Sequence, residues 1–210
     1  MHHADTPTPA AETRERLARD GMYRPEFEGD ACGVGLVAAI DGVASRHVVA
    51  AAIDALKAVW HRGAVDADGK TGDGAGIHIE LPTGFFEEAI DRSGHTHHDD
   101  RRLGVGMVFL PRTDLAAQEA CRTIVESEII DFGYTIYGWR QVPVDVSVIG
   151  DKAMQSRPEI EQIMIAGPAL DAVSADEFEK NLYLIRRRIE KQVIAAQIQG
   201  FYICSLSCRS

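Results

Sequence analysis

No stretch of this chain approaches the roughly 18–20 consecutive apolar residues of a bilayer-spanning helix, so a membrane span is not expected. The N-terminus, MHHADTPTPAAETRERLARDG, lacks the apolar core of roughly 7–15 residues that a secretory signal needs. Cysteine is scarce: Cys32, Cys121, Cys204 and Cys208 are too few and too scattered for a disulfide framework, and a reducing cytoplasm is the default. Positive charge is in deficit, with 22 Lys and Arg against 32 Asp and Glu. The resulting net charge of −10 argues against a broad nucleic-acid surface. Nor is an internal repeat apparent. What remains is a 210-residue chain, 45% hydrophobic and 26% charged, with the composition of a soluble globular protein long enough to build a core.

Residues 1–31 differ from the rest. They carry Pro7, Pro9 and Pro25, many charges and only short apolar fragments, enough for one short helix around 11–18 but not for a core. From residue 33 the pattern changes. Residues 33–40 form a small-residue apolar run that stops at the turn signal Asp41-Gly42, which reads as a buried strand. Residues 46–60 place Val49, Ile53, Leu56 and Trp60 at helical spacing.

Further along, 77–81 alternates like a strand, 85–90 suits a short helix, and 103–110 is an apolar strand. A long helix is expected over 115–132, stopped by Gly133, with one or two strands over 134–146. Ser174 and Glu177 form a capping box for a third long helix, which puts Phe178, Leu182, Ile185, Ile189 and Val193 on one face. A strand then begins at 201 and the chain stops at Ser210 with neither a turn nor a partner for it, which reads as a piece of a longer protein.

Cys32 stands at the edge between the acidic stretch EGDA and the apolar run GVGLVAAI, where two readings compete. One is a small buried cysteine at a strand end. The other is a nucleophile: if the chain were cut before Cys32, its own α-amino group, with a pKa near 7.7–8.0, would act as base to its thiol. Gly33-x-Gly35-x-x-Ala38 also matches a dinucleotide fingerprint, but it follows no strand and opens no helix, and that reading is rejected.

The segment HRGAVDADGKTGDGAG, residues 61–76, is too rich in Gly and Asp to be packing. It is a surface loop, a divalent-metal loop using Asp66, Asp68 and Asp73, or an active-site wall; its spacing does not match a calcium loop. His95, His97 and His98 beside Asp99 and Asp100 suit a hydrated loop better than a metal site. Cys204 and Cys208 read as core, and Arg186–Arg188 with Lys191 as the solvated face of the last helix.

Cys-Gly-Val-Gly at 32–35, Leu-Lys-Ala-Val-Trp-His-Arg-Gly at 56–63 and Thr-Gly-Asp-Gly-Ala-Gly at 71–76 together resemble the class II glutamine amidotransferases, and within them the large subunits of glutamate synthases. The resemblance continues through Tyr-Gly-Trp-Arg-Gln-Val-Pro at 137–143, Arg-Pro-Glu-Ile-Glu-Gln at 157–162, the helix at 182–191 and Phe-Tyr-Ile-Cys-Ser-Leu-Ser at 201–207. It implies an α+β fold of N-terminal-nucleophile hydrolase type, a four-layer αββα sandwich, here truncated before the domain is complete. Residues 1–31 would be a removed propeptide-like leader and 32–210 the first part of the glutaminase domain.

Cys32 would attack the glutamine side-chain amide and release ammonia through a glutamyl thioester. Arg62 and Gly63 match an element close to the nucleophile and would shape the site. The family's Arg-Tyr-Ser-Thr and His-Asn-Gly segments have no counterpart here, so the resemblance implies that the 210 residues alone are inactive; the alternatives are a non-catalytic scaffold or partner-binding domain of the same fold, or another class II amidotransferase. No cofactor is expected within this stretch. FMN and an iron–sulfur cluster are implied for the full-length protein, with FAD in a small flavoprotein subunit if the electron donor is a pyridine nucleotide rather than ferredoxin. The implied partners are glutamine and a synthase domain of the same parent chain, without nucleic acid or membrane.

Overall fold

The computed structural model describes residues 9–21, 33–60, 63, 65–72 and 74–210. They fall into two compact units, one within residues 1–64 and the other within 65–210.

In the first unit, α1 (Pro9–Asp20) has Glu12 in its first turn and Arg19 in its last, the charge order that suits a helix dipole. Helix α2 (Arg46–Ala58) begins where the Ser45 hydroxyl accepts the Val48 N–H at 3.4 Å. Its apolar positions Val49, Ile53 and Leu56 are half-buried, while Trp60, just past the helix, is 73% exposed. The expected strand over 33–40 does not form. Its closing turn does, with the Gly42 N–H donating to the Ala39 carbonyl at 3.2 Å, but Val34, Leu36 and Ile40 are exposed and no described strand pairs with the run. Apolar composition supplies the side chains of a strand; only a neighbour's hydrogen bonds make it one.

The second unit is built on one four-stranded antiparallel sheet of order β2-β3-β1-β4, from β1 (Arg101–Leu110), β2 (Thr135–Gln141), β3 (Glu159–Ala169) and β4 (Tyr202–Ser207). The central pair aligns Gly104 with Ile165 and Val108 with Glu161. Because successive side chains alternate across a sheet, Val108, Leu110, Ile163 and Ile165 face one way and Leu103, Val105, Met164 and Ala166 the other.

The first face is covered by α4 (Leu115–Asp131) and α6 (Ala175–Ala195). Asp114 caps α4 by accepting the Ala117 N–H at 2.9 Å, and Gly133 follows its end at φ 81°. The Ser174 hydroxyl caps α6, accepting the Glu177 N–H at 3.2 Å. The five residues expected on one face of α6 are all buried against the sheet. Phe178 sits so close to β3 that a Cβ on Gly167 would lie 2.4 Å from its ring, which only glycine accommodates.

Glu128 of α4, buried in this layer, is ion-paired to Arg188 Nε at 2.6 Å, and the Arg188 guanidinium lies over the Phe132 ring. Arg186 and Arg187 share Glu190. The arginine run is therefore more than a solvated face, because one of its members ties α6 to α4.

The second face carries α3 (Thr83–Arg92), whose Phe86, Ala89 and Ile90 pack on Leu103, Val105, Tyr137 and Met164. The stretch 77–81, expected as a strand, has no ladder; Leu81 only donates its N–H to the Arg209 carbonyl at 2.6 Å. A 3-10 turn (Val146–Val148) and a one-and-a-half-turn helix, α5 (Asp151–Ser156), connect β2 to β3. Among the described residues no helix is long and apolar enough to cross a membrane.

Candidate functional site

The Gly- and Asp-rich segment closes on itself as a small hairpin. Val65 and Gly72 form an antiparallel bridge, the Asp66 N–H donates to the Thr71 carbonyl at 2.7 Å, and the Gly69 N–H donates to the Asp66 carbonyl at 3.0 Å. Asp68 organises the tip. Its Oδ1 accepts the N–H groups of Lys70 and Thr71 at 2.9 and 2.7 Å, and its Oδ2 accepts the Thr71 hydroxyl at 2.6 Å. Hydrogen bonds that favour the ionised form lower a carboxyl pKa, and the Thr71 hydroxyl first, then these two amides, bring Asp68 down to about 2.

The hairpin is anchored to α5. Lys152 Nζ donates to Asp66, the largest cause holding the Asp66 carboxyl below its ordinary value, and the Ala153 N–H reaches Thr71 Oγ1 at 3.4 Å. Gly150, the residue before α5, makes that approach possible. A Cβ there would meet Asp68 Oδ2 at 2.2 Å, Thr71 Oγ1 at 2.3 Å and Thr71 N at 2.7 Å.

Asp68 thus spends its oxygens on the loop's own donors and Asp66 binds the Lys152 ammonium, and no group of three or more His, Cys, Asp or Glu converges as a metal site among the described residues. The sign of the pH dependence follows from the lowered pKa: the hydrogen bonds of Asp68 that hold the tip are complete above the ordinary carboxylate range and are lost as pH falls through about 2. NMR of the Thr71 amide should show this midpoint, whereas a midpoint at the ordinary value of 3.8 would mean that Asp68 does not hold the tip.

Of the expected site residues, Cys32 and Arg62 lie outside the described residues, as does Asp73 of the loop. Gly63 is described; its N–H donates to the Trp60 carbonyl at 3.1 Å, in the turn after α2. The histidine cluster lies on Tyr137: His98 donates its backbone N–H to the Tyr137 hydroxyl at 3.3 Å, and the His97 ring lies 6.2 Å from the Tyr137 ring. His97 Nδ1 stands 3.2 Å from Asp99.

Cys121 is fully buried and burial pushes its thiol up to about 11, so it is no nucleophile at neutral pH. Cys208 is half-buried and likewise raised to about 11, by burial first and then by the Glu179 carboxylate 3.2 Å from its sulfur. Cys204 departs from the core reading, because β4 leaves it exposed. Sequence reasoning missed Gly150 and Lys152, which lie some 80 residues from the loop they anchor; a lone glycine before a short helix carries no signal of that contact.

Comparison with known proteins places these observations. The family model for the glutamine amidotransferases of class II matches residues 32–210. The glutamate synthase [NADPH] large chain of Azospirillum brasilense is 62% identical over 194 residues, which cover 92% of this chain and 13% of that protein. The ferredoxin-dependent glutamate synthase 2 of Synechocystis is 38% identical over 183 residues, 87% of this chain and 11% of that one. A glutamate synthase [NADPH] large chain from Bacillus subtilis is 35% identical over 193 residues, with 90% and 12% covered. The chain therefore spans about an eighth of the length of the curated relatives it matches. With the family match running from Cys32 through the hairpin, the sheet and both covering helices, this chain belongs to the class II glutamine amidotransferases.

Proposed function

We propose that this chain is the glutaminase part of a glutamate synthase large chain and that Cys32 is its nucleophile. The observation that carries the proposal is the start of the family match at Cys32 itself. Removal of residues 1–31 as a leader gives Cys32 a free α-amino group, basic enough near neutral pH to take the thiol proton. The thiolate attacks the side-chain carbonyl carbon of glutamine. The C–N bond breaks, ammonia leaves with a proton, and water hydrolyses the glutamyl thioester to glutamate. Arg62 and Gly63, following α2, shape the pocket.

The four-layer αββα architecture belongs to the same proposal. The sheet described above is one of its two, with α4 and α6 as one outer helical layer. In the full-length protein the ammonia passes to a synthase domain of the same chain, which makes a second glutamate from 2-oxoglutarate in the cytoplasm, with a small flavoprotein subunit as a further partner.

The flavin and iron–sulfur chemistry lies outside this stretch. An iron–sulfur cluster takes about four cysteine thiolates. Here Cys121 is buried in α4, Cys204 is exposed on β4 and Cys208 contacts Glu179, so the described cysteines do not fit such a cluster.

The test is intact-mass analysis of the active full-length protein purified from its source. The expected N-terminus is Cys32; an active enzyme that keeps residues 1–31 would overturn the α-amino base.

A further inference from the structure

A cavity of about 430 Å³ opens beside the ends of β2 and β3 that lie next to one another, away from every residue assigned above. That volume lies in the range of small-molecule sites, roughly 300–1,000 Å³. Its walls are mixed: Gln141, Arg157 and Glu159 contribute polar surface beside the apolar side chains of Val142, Pro143, Pro158 and Ile160, and the Val142 N–H is already spent on the Ile160 carbonyl at 2.9 Å.

Two opposite charges line it. Arg157 ends α5 in extended backbone, at φ −61° and ψ 136°, and Glu159 opens β3 two residues later. In an extended chain residues two apart project to the same side. They nevertheless form no ion pair with each other. The Glu159 carboxylate is held by the Gln141 side-chain amide, through one of its oxygens. The Arg157 guanidinium has no hydrogen-bond or ion-pair partner among the described residues, and its Nε is closed off from solvent. A guanidinium with a buried, unanswered donor calls for an acceptor, and the Glu159 carboxylate that lines the same cavity has been turned to another partner.

We infer that this cavity binds the zwitterion of an aliphatic α-amino acid, its carboxylate on Arg157, its ammonium on the free oxygen of Glu159 and its side chain against Val142, Pro143, Pro158 and Ile160. A plain anion would satisfy Arg157 but would face Glu159. A plain cation would do the reverse. Only a ligand that carries both charges a short distance apart answers both residues, and an aliphatic side chain then has Val142, Pro143, Pro158 and Ile160 to lie against. The site is independent of the glutaminase reading, since neither Cys32 nor glutamine enters it.

The test is calorimetric titration of the protein with L-leucine, N-acetyl-L-leucine and L-leucine amide, each compared on R157Q and E159Q. L-leucine is expected to bind, and blocking either of its charged ends or neutralising either residue should weaken it by about 10-fold or more, the size of a lost charge-assisted hydrogen bond. The inference is overturned if L-leucine does not bind, if N-acetyl-L-leucine binds equally well (a simple carboxylate site), or if R157Q binds as tightly as the parent. Should either variant fail to fold, the three ligands on the unmodified protein decide the matter alone. A saturating level of L-leucine must also leave labelling of Cys32 by a glutamine-like electrophile unchanged; protection there would place leucine in the glutamine pocket and overturn the second site.

Discussion

Replacing Cys32 with alanine in the full-length protein is expected to lower glutamine-dependent turnover by at least about 10⁴-fold, the scale on which loss of a covalent nucleophile is felt. The size follows from the absence of a substitute. Cys121 is enclosed by the α4–α6 layer and its thiol is pushed up to about 11, so at neutral pH it presents almost no thiolate and no path to a substrate. Cys208 is raised equally, and its sulfur contacts Glu179, whose carboxylate opposes a second negative charge. Cys204 is exposed on β4, outside the motif that carries Cys32.

Turnover with ammonia supplied in place of glutamine is expected to survive the substitution, which separates loss of the nucleophile from loss of the fold. A Cys32→Ala enzyme that keeps more than about a hundredth of its glutamine-dependent rate would sink the assignment. The same experiment with a glutamine-like electrophile should label Cys32 and leave Cys121 untouched.

Phe178→Ala is expected to destabilise the protein by about 3–5 kcal/mol, the upper part of the range for a buried aromatic. The residue is fully buried at the first turn of α6, edge-on to Tyr134 with ring centroids 5.2 Å apart. Its ring lies against two glycines of the sheet, at distances where a Cβ would stand 3.3 Å away on Gly104 and 2.4 Å away on Gly167. Removing the ring therefore exposes bare backbone on the floor of the void, where the glycines have no side chain of their own to fill it and Leu182 already packs against Gly104. Urea unfolding of the two proteins measures the difference. A loss below about 1 kcal/mol would show that the layer relaxes around the gap.

These two experiments probe opposite ends of what the sequence makes legible. Phe178 belongs to a five-residue stripe at helical spacing behind a capping box, and local pattern is enough to place both the helix and its buried face. The same holds for β1 and α4, whose signals lie within their own residues. The strand β3, central to the sheet, gives no such signal. Ile163, Met164, Ile165 and Ala166 are buried on both faces, so the alternation that marks a half-covered strand is erased. Residues 33–40 show the converse, with strand-like composition and no described ladder.

Within the candidate site, the proposal for Cys32 rests on a contiguous motif that the sequence alone displays. The clamp of Asp66, Thr71, Gly150 and Lys152 is not displayed there, because its halves are 82 and 86 residues apart and meet only through the fold.

The strand order β2-β3-β1-β4 also fixes a sequence of events during synthesis. β1 and β2 emerge early and close together, yet neither pairs with the other; both must wait for β3, which pairs with each, and β4 comes last. Until then β1 presents two unpaired edges and an apolar face that α4 alone cannot cover, because α6 arrives after β3. Non-local pairing of this kind is slow and leaves aggregation-prone edges open. A ribosome stalled before residue 159 should therefore hold a nascent chain that binds chaperones tightly, and one stalled well past residue 207 should not.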